Sequence, residues 1–167
     1  MIPDALVEAT WQECAALAPK EARRRLAEIR RRQPALFAHV FAQAEVLTQP
    51  ATELTVYLFF VIAQMFYRHC SKVRRVSPSS VIACAEDIET RVGALQGAHE
   101  AFLERAAVVL SGRQPHVFRY LVEAIIEAPT AAIDPVPLSP EEQGALFLIL
   151  ATAITVLDDH GASKGSP

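Results

Sequence analysis

The chain has 167 residues, of which 51% are hydrophobic and 21% are charged, and its formal net charge is −3. A chain of this length buries roughly two-thirds of its unfolded surface when it folds, so we expect one domain with a core that needs no disulfide bonds. The composition excludes a mostly disordered chain, and only the Gly- and Ser-rich segment 161–167 is predicted to be a disordered tail.

Charge and cysteine content narrow the class of protein further. Residues 1–80 carry 11 Lys/Arg and 7 Asp/Glu (net +4), whereas residues 81–167 carry 5 and 12 (net −7). Such polarity favours attraction between opposite halves of two copies, and the overall balance is not that of a general nucleic-acid-binding protein. Three cysteines without a CxxC pair, together with no visible secretory signal, predict a cytoplasmic protein.

The hydrophobic pattern follows the 3.6-residue period of an α-helix almost throughout, and no segment predicts a β-strand. Proline fits the first turn of a helix because its missing N–H would have no partner there. Prolines, together with Gly97 and Gly112, therefore mark the boundaries. The predicted helices are 3–18, 20–32, 34–46, 50–73, 78–96, 98–111, 115–128 and 140–159.

Echoes that occur in the same order suggest that the chain contains one helical unit twice. The corner at 32–34 has the sequence Arg-Gln-Pro and recurs at 113–115, and segments of equal length end at His69 and His160. A fixed order of echoes is typical of an internal repeat. We therefore predict an all-α bundle of about eight helices, in which two pseudo-symmetric four-helix repeats, about 1–76 and 77–160, share the core of one domain, 1–160.

Two segments, 54–67 and 145–157, are apolar almost all round. A helix without a polar face must be covered on every side, so both are predicted to be central helices that pack together. Each run is shorter than the roughly 20 residues needed to cross a bilayer, so we expect no membrane span. Two such helices in a small bundle would still leave apolar surface, which favours an interface with another subunit.

The arginine-rich helix 20–32 is the sharpest local pattern. Its two arginine triplets are seven residues apart, which stacks Arg23 on Arg30 and Arg24 on Arg31 about 10 Å apart along the helix. These four arginines are candidate anion-binding residues for phosphates or for an acidic partner. The alternative is a solvated face whose arginines pair with glutamates one turn away.

The sequence contains no recognisable catalytic or metal-binding motif. The histidines lack the paired spacing of helical metal ligands, and His69 and His160 are expected to stabilise the last carbonyls of the apolar helices. Cys70, beside a basic stretch, is the only cysteine whose thiolate is favoured. We predict no catalytic residue, no metal and no cofactor.

Three functional hypotheses remain open. The first is a non-enzymatic protein-interaction or regulatory module that binds a protein partner or a second copy of itself as a homodimer. The second is anion or nucleic-acid binding through the arginine-rich helix 20–32. The third is a small-ligand-binding bundle with an internal cavity near Gln64, since this polar residue lies inside an apolar run and a buried polar group needs a partner.

Overall fold

A computed structural model describes residues 1–93 and 102–163 of the chain. The prediction of an all-α helical bundle is confirmed, with one small two-stranded sheet added to it. The elements in chain order are α1 (Asp4–Ala15), α2 (Pro19–Arg32), α3 (Pro34–Ala44), α4 (Gln49–His69), β1 (Cys70–Val73), α5 (Pro78–Gly93), α6 (Phe102–Leu110), α7 (Pro115–Glu127), a 3-10 turn (Ala128–Thr130), α8 (Pro140–His160) and β2 (Gly161–Ser163).

Two sequence-based expectations about the chain termini of the long helices are wrong. The helix predicted at 50–73 ends at His69, and the disordered tail predicted from 161 begins with a strand. β1 and β2 pair antiparallel, and the N–H of Arg74 extends the pairing by donating to the carbonyl of His160 at 2.9 Å. The ends of α4 and α8 are therefore joined. The predicted boundary between 96 and 98, including Gly97, and residues 164–167 lie outside the described residues.

Proline and one strong cap set the helix starts. Proline occupies the first or second position of α2, α3, α4, α7 and α8, as the sequence predicts. Before α8, the hydroxyl of Ser139 accepts the N–H of Glu142, and the Glu142 carboxylate accepts the N–H of Ser139, which is a complete capping box. The same carboxylate accepts the N–H and the hydroxyl of Thr48, so one glutamate holds the starts of α4 and α8 together.

α4 and α8 pack against each other at the centre of the bundle, as predicted, and α8 also contacts α3, α5 and α7. Their buried side chains include Phe59, Phe66 and Phe147. Each helix has 21 residues and is long and apolar enough to cross a membrane by length and composition, so the expectation that rested on a shorter run is wrong in its premise. In both helices 56% of the most apolar window is buried inside the protein, and the absence of a membrane span stays a prediction.

The two Arg-Gln-Pro corners make matching contacts. The amide oxygen of Gln33 accepts the N–H of Val76 at 3.0 Å, and that of Gln114 accepts the N–H of Ile2 at 2.9 Å. Both glutamines are buried, and their backbone angles agree, with φ −129° in each. Val76 and Ile2 each lie two residues before a helix, α5 or α1. These are contacts that a duplicated unit would make, while the pseudo-symmetric repeat itself stays a prediction.

Candidate functional site

The arginines of α2 form two faces, of which the inner one is neutralised by carboxylates. Arg24 donates two hydrogen bonds to Glu21, at 2.9 and 2.7 Å, and Arg25 bonds both Glu21 and Glu13. Hydrogen bonds from Arg24 and then Arg25 lower the pKa of Glu21 to about 2. Of the four candidate anion-binding residues, Arg24 is therefore committed to its own helix, as the alternative of a paired, solvated face predicts.

The outer face of α2 consists of four exposed cations. Lys20, Arg23, Arg30 and Arg31 are exposed, and none of them forms an ion pair within the described residues. Ala27 lies among them and leaves the face flat. The guanidinium of Arg30 lies 5.9 Å from the ring centroid of Phe37 on α3, so this basic face borders α3.

α3, which contacts both α2 and α5, contains no Asp, Glu, Lys or Arg. At 100° per residue, its exposed Ala38 and Ala42 lie between Phe37, on the side of α2, and His39 with Gln43, on the side of α5. Burial lowers the pKa of His39 from its ordinary value, against the opposing effect of Glu89, so its imidazole is uncharged at neutral pH. The exposed face of α3 is therefore small and neutral.

The flank on α5 is acidic and apolar. A groove of about 410 Å³ lies between α3 and α5 above α8, and Glu86 and Glu89 line it without any Lys or Arg. Val46 and Ile82 at its rim are 84% and 54% exposed. The outer face of α2, the exposed face of α3 and this groove together make one surface, the α2–α3–α5 surface, that runs from basic through neutral to acidic.

Gln64 lies in a surface groove of about 310 Å³ between α2 and α4 and not in an internal cavity. Arg24, Arg32 and Tyr67 line the same groove, so the structure brings Gln64 and one candidate arginine together. The hydroxyl of Tyr67 is buried with no hydrogen-bond partner among the described residues, and burial raises its pKa to about 12. Sequence reasoning missed Tyr67, because its period is simply that of the apolar helix.

The groups with nucleophilic or ligating chemistry are scattered. Burial raises the pKa of Cys14 and of Cys84 to about 11, which leaves both as inert thiols at neutral pH. Cys70 is buried beside Gly161. His160 hydrogen-bonds the carbonyl of Val156 at 2.9 Å, as expected of a helix-terminal histidine. Across residues 1–93 and 102–163, no three His, Cys, Asp or Glu side chains form a group that could hold a metal.

No protein-family model, curated protein or solved structure matches this chain. Function is therefore inferred from surface chemistry, and the α2–α3–α5 surface is the strongest candidate for an interface.

Proposed function

We propose that the protein is a non-enzymatic interaction module that acts as a homodimer through the α2–α3–α5 surface. The observation that carries this proposal is the order of charge across that surface, with a neutral helix between a basic and an acidic flank. A two-fold axis through α3 places α2 of one protomer against α5 of its partner, and the reverse. Both contacts then join opposite charges, which favours the encounter and fixes the register.

The composition of α3 supports its place at the axis. On a two-fold axis each group meets its own copy, so a charged side chain there would repel itself. α3 has no such side chain, and the methyl groups of Ala38 and Ala42 let two helices approach closely. Val46 and Ile82, exposed beside the groove, would be covered by the partner, as apolar residues of an interface core are.

Sedimentation equilibrium on the full chain tests the proposal. We expect a dimer at micromolar concentration whose affinity falls as salt is raised. Reversing one flank with Arg23→Glu and Arg30→Glu, or the other with Glu86→Lys and Glu89→Lys, should each give monomers. The four changes together restore opposite charges across the axis and should restore the dimer.

A matched control separates specific contacts from net charge. Lys72→Glu with Arg105→Glu changes the net charge as much as the α2 reversal does, at exposed residues of β1 and α6 that form no ion pair within the described residues. This variant should stay dimeric. A wild-type chain that is monomeric at micromolar concentration, or a four-fold variant that stays monomeric while still folded, would refute the proposed interface.

The second candidate, anion binding, is favoured by the four unpaired cations on the outer face of α2. Phosphates of a nucleic acid would be neutralised there, with release of counterions. Fluorescence anisotropy with a short DNA duplex distinguishes the two functions. Anion binding predicts that the α2 reversal abolishes the signal while the α5 reversal leaves it unchanged, whereas the homodimer predicts that both reversals weaken self-association alike.

A further inference from the structure

A second concave site, the aromatic cleft, lies between α1, α4, α7 and the loop after α7, with a volume of about 530 Å³. Trp11, Tyr57 and Tyr120 come from three different helices and line it together. Trp11 is the only tryptophan of the chain, and its indole N–H donates to Glu8 at 2.9 Å, which fixes the ring.

The rim of the aromatic cleft carries one sign of charge. Glu8, Glu123, Glu127 and Asp134 line it, and no Lys or Arg does. Within the described residues, only Glu123 among the four has an ion pair, at 3.9 Å from Arg119. Carboxylates of one sign around a low-dielectric cleft concentrate the field and attract cations.

The two tyrosines add neutral hydrogen-bond donors. Burial raises the pKa of Tyr57 and that of Tyr120, so both phenols stay protonated at neutral pH. Neither hydroxyl is hydrogen-bonded to another residue in the part of the chain that the structure describes. The N–H of Val136 donates to the carbonyl of Ala128 at 2.9 Å and closes the loop that carries Asp134 over the cleft.

The predicted repeat gives an internal comparison for this site. The echoes imply offsets of 74 residues (Ile2 to Val76), 81 residues (Arg32 to Arg113) and 91 residues (His69 to His160). With these offsets the aromatic cleft corresponds to the groove between α3 and α5. Trp11, Tyr120 and Tyr57 then stand where that groove has Ala85, His39 and Leu148. The aromatic trio is present in one copy of the groove only, so the shared architecture does not require it.

We propose that the aromatic cleft binds a small organic cation, an amine or quaternary ammonium with an apolar body. The ring faces attract the cationic group, the carboxylates neutralise it, and Leu54 and Ala124 contact the hydrocarbon part. The volume is that of sites for ligands of this size. None of the lining residues belongs to the α2–α3–α5 surface, so the site stands independently of the homodimer.

Tryptophan fluorescence reports on this cleft directly, because the single tryptophan lines it. Titration of the full chain with benzyltrimethylammonium should give a saturable change in Trp11 emission. Benzenesulfonate, an anion of similar size, and neopentylbenzene, the neutral carbon isostere, should give none at the same concentrations. A response to the neutral isostere as strong as that to the cation would show a merely apolar groove and overturn the proposal.

Variants then test the two parts of the site. Glu127→Gln with Asp134→Asn should weaken binding about three- to tenfold, while Glu104→Gln with Glu141→Gln, the matched control away from the cleft, should not change it. Tyr57→Leu should weaken binding about two- to fivefold, and Tyr57→Phe, which keeps the ring, should bind as the wild type does. Unchanged affinity in both the carboxylate variant and Tyr57→Leu would refute a cation site.

Discussion

Replacing Gln114 by leucine removes both hydrogen bonds that tie the second Arg-Gln-Pro corner to the rest of the bundle. The amide of Gln114 accepts from the N–H of Ile2 at 2.9 Å and donates to the Asp158 carboxylate at 2.6 Å. A neutral bond contributes about 1 kcal/mol and a bond to a charged group about 2 kcal/mol. Ile2 is fully buried, so its N–H cannot turn to water instead. We expect Gln114→Leu to lower the free energy of unfolding by about 3 kcal/mol.

Gln33→Leu is the companion change at the first corner. It removes two neutral bonds, to the N–H of Val76 and to the carbonyl of Arg74, so the expected loss is about 2 kcal/mol. In a domain of this size those losses lower Tm by about 6–12 °C for Gln114 and about 4–8 °C for Gln33. Urea unfolding followed by circular dichroism measures both. Gln49→Leu, at an exposed glutamine, should stay within about 0.5 kcal/mol of wild type, and corner variants that also stay there would refute the reasoning.

Three further predictions concern stability. Gly161→Ala should cost about 1–3 kcal/mol, because a Cβ there lies 2.7 Å from the Cys70 sulfur, whereas Gly144→Ala in the same helix, with no atom nearer than 3.8 Å, should gain about 0.5–1 kcal/mol; equal urea midpoints would contradict this. Ser139→Ala should cost about 1 kcal/mol through loss of the capping box, and an unchanged midpoint would argue against it. The pKa of Glu21 is about 2 in the folded chain and near 4.5 when unfolded, so its stabilisation is complete above pH 4.5 and is lost as pH falls towards 2; the gap between wild type and Glu21→Gln should close over that range, and a gap that persists at pH 2 would exclude this linkage.

The helices could be predicted because their signals are local. Proline at a helix start and an apolar period of 3.6 residues act within one or two turns, and they give the starts of α3, α5, α7 and α8 correctly at Pro34, Pro78, Pro115 and Pro140. The central pair α4 and α8 follows from composition alone, since helices with no polar face have to be covered.

The sheet and the cleft could not be predicted, because they depend on residues far apart in the chain. β1 and β2 have four and three residues, and each gains its hydrogen bonds only from the other, about 90 residues away. Trp11, Tyr57 and Tyr120 each follow the period of their own helix and reveal no site until the helices pack. The sequence also cannot separate Arg24 from Arg23, since the difference lies in which arginine a glutamate reaches.

The two buried glutamines connect stability to both proposed sites. Gln33 precedes α3 and bonds Val76, two residues before α5, so it fixes the two helices that flank the acidic groove. Gln114 precedes α7 and bonds Ile2, two residues before α1, so it fixes two walls of the aromatic cleft. Matching anchors therefore hold grooves that the predicted repeat relates, while the side chains that line them differ. A duplicated scaffold with conserved anchors would leave each groove free to acquire its own ligand, a second protomer at one and an organic cation at the other.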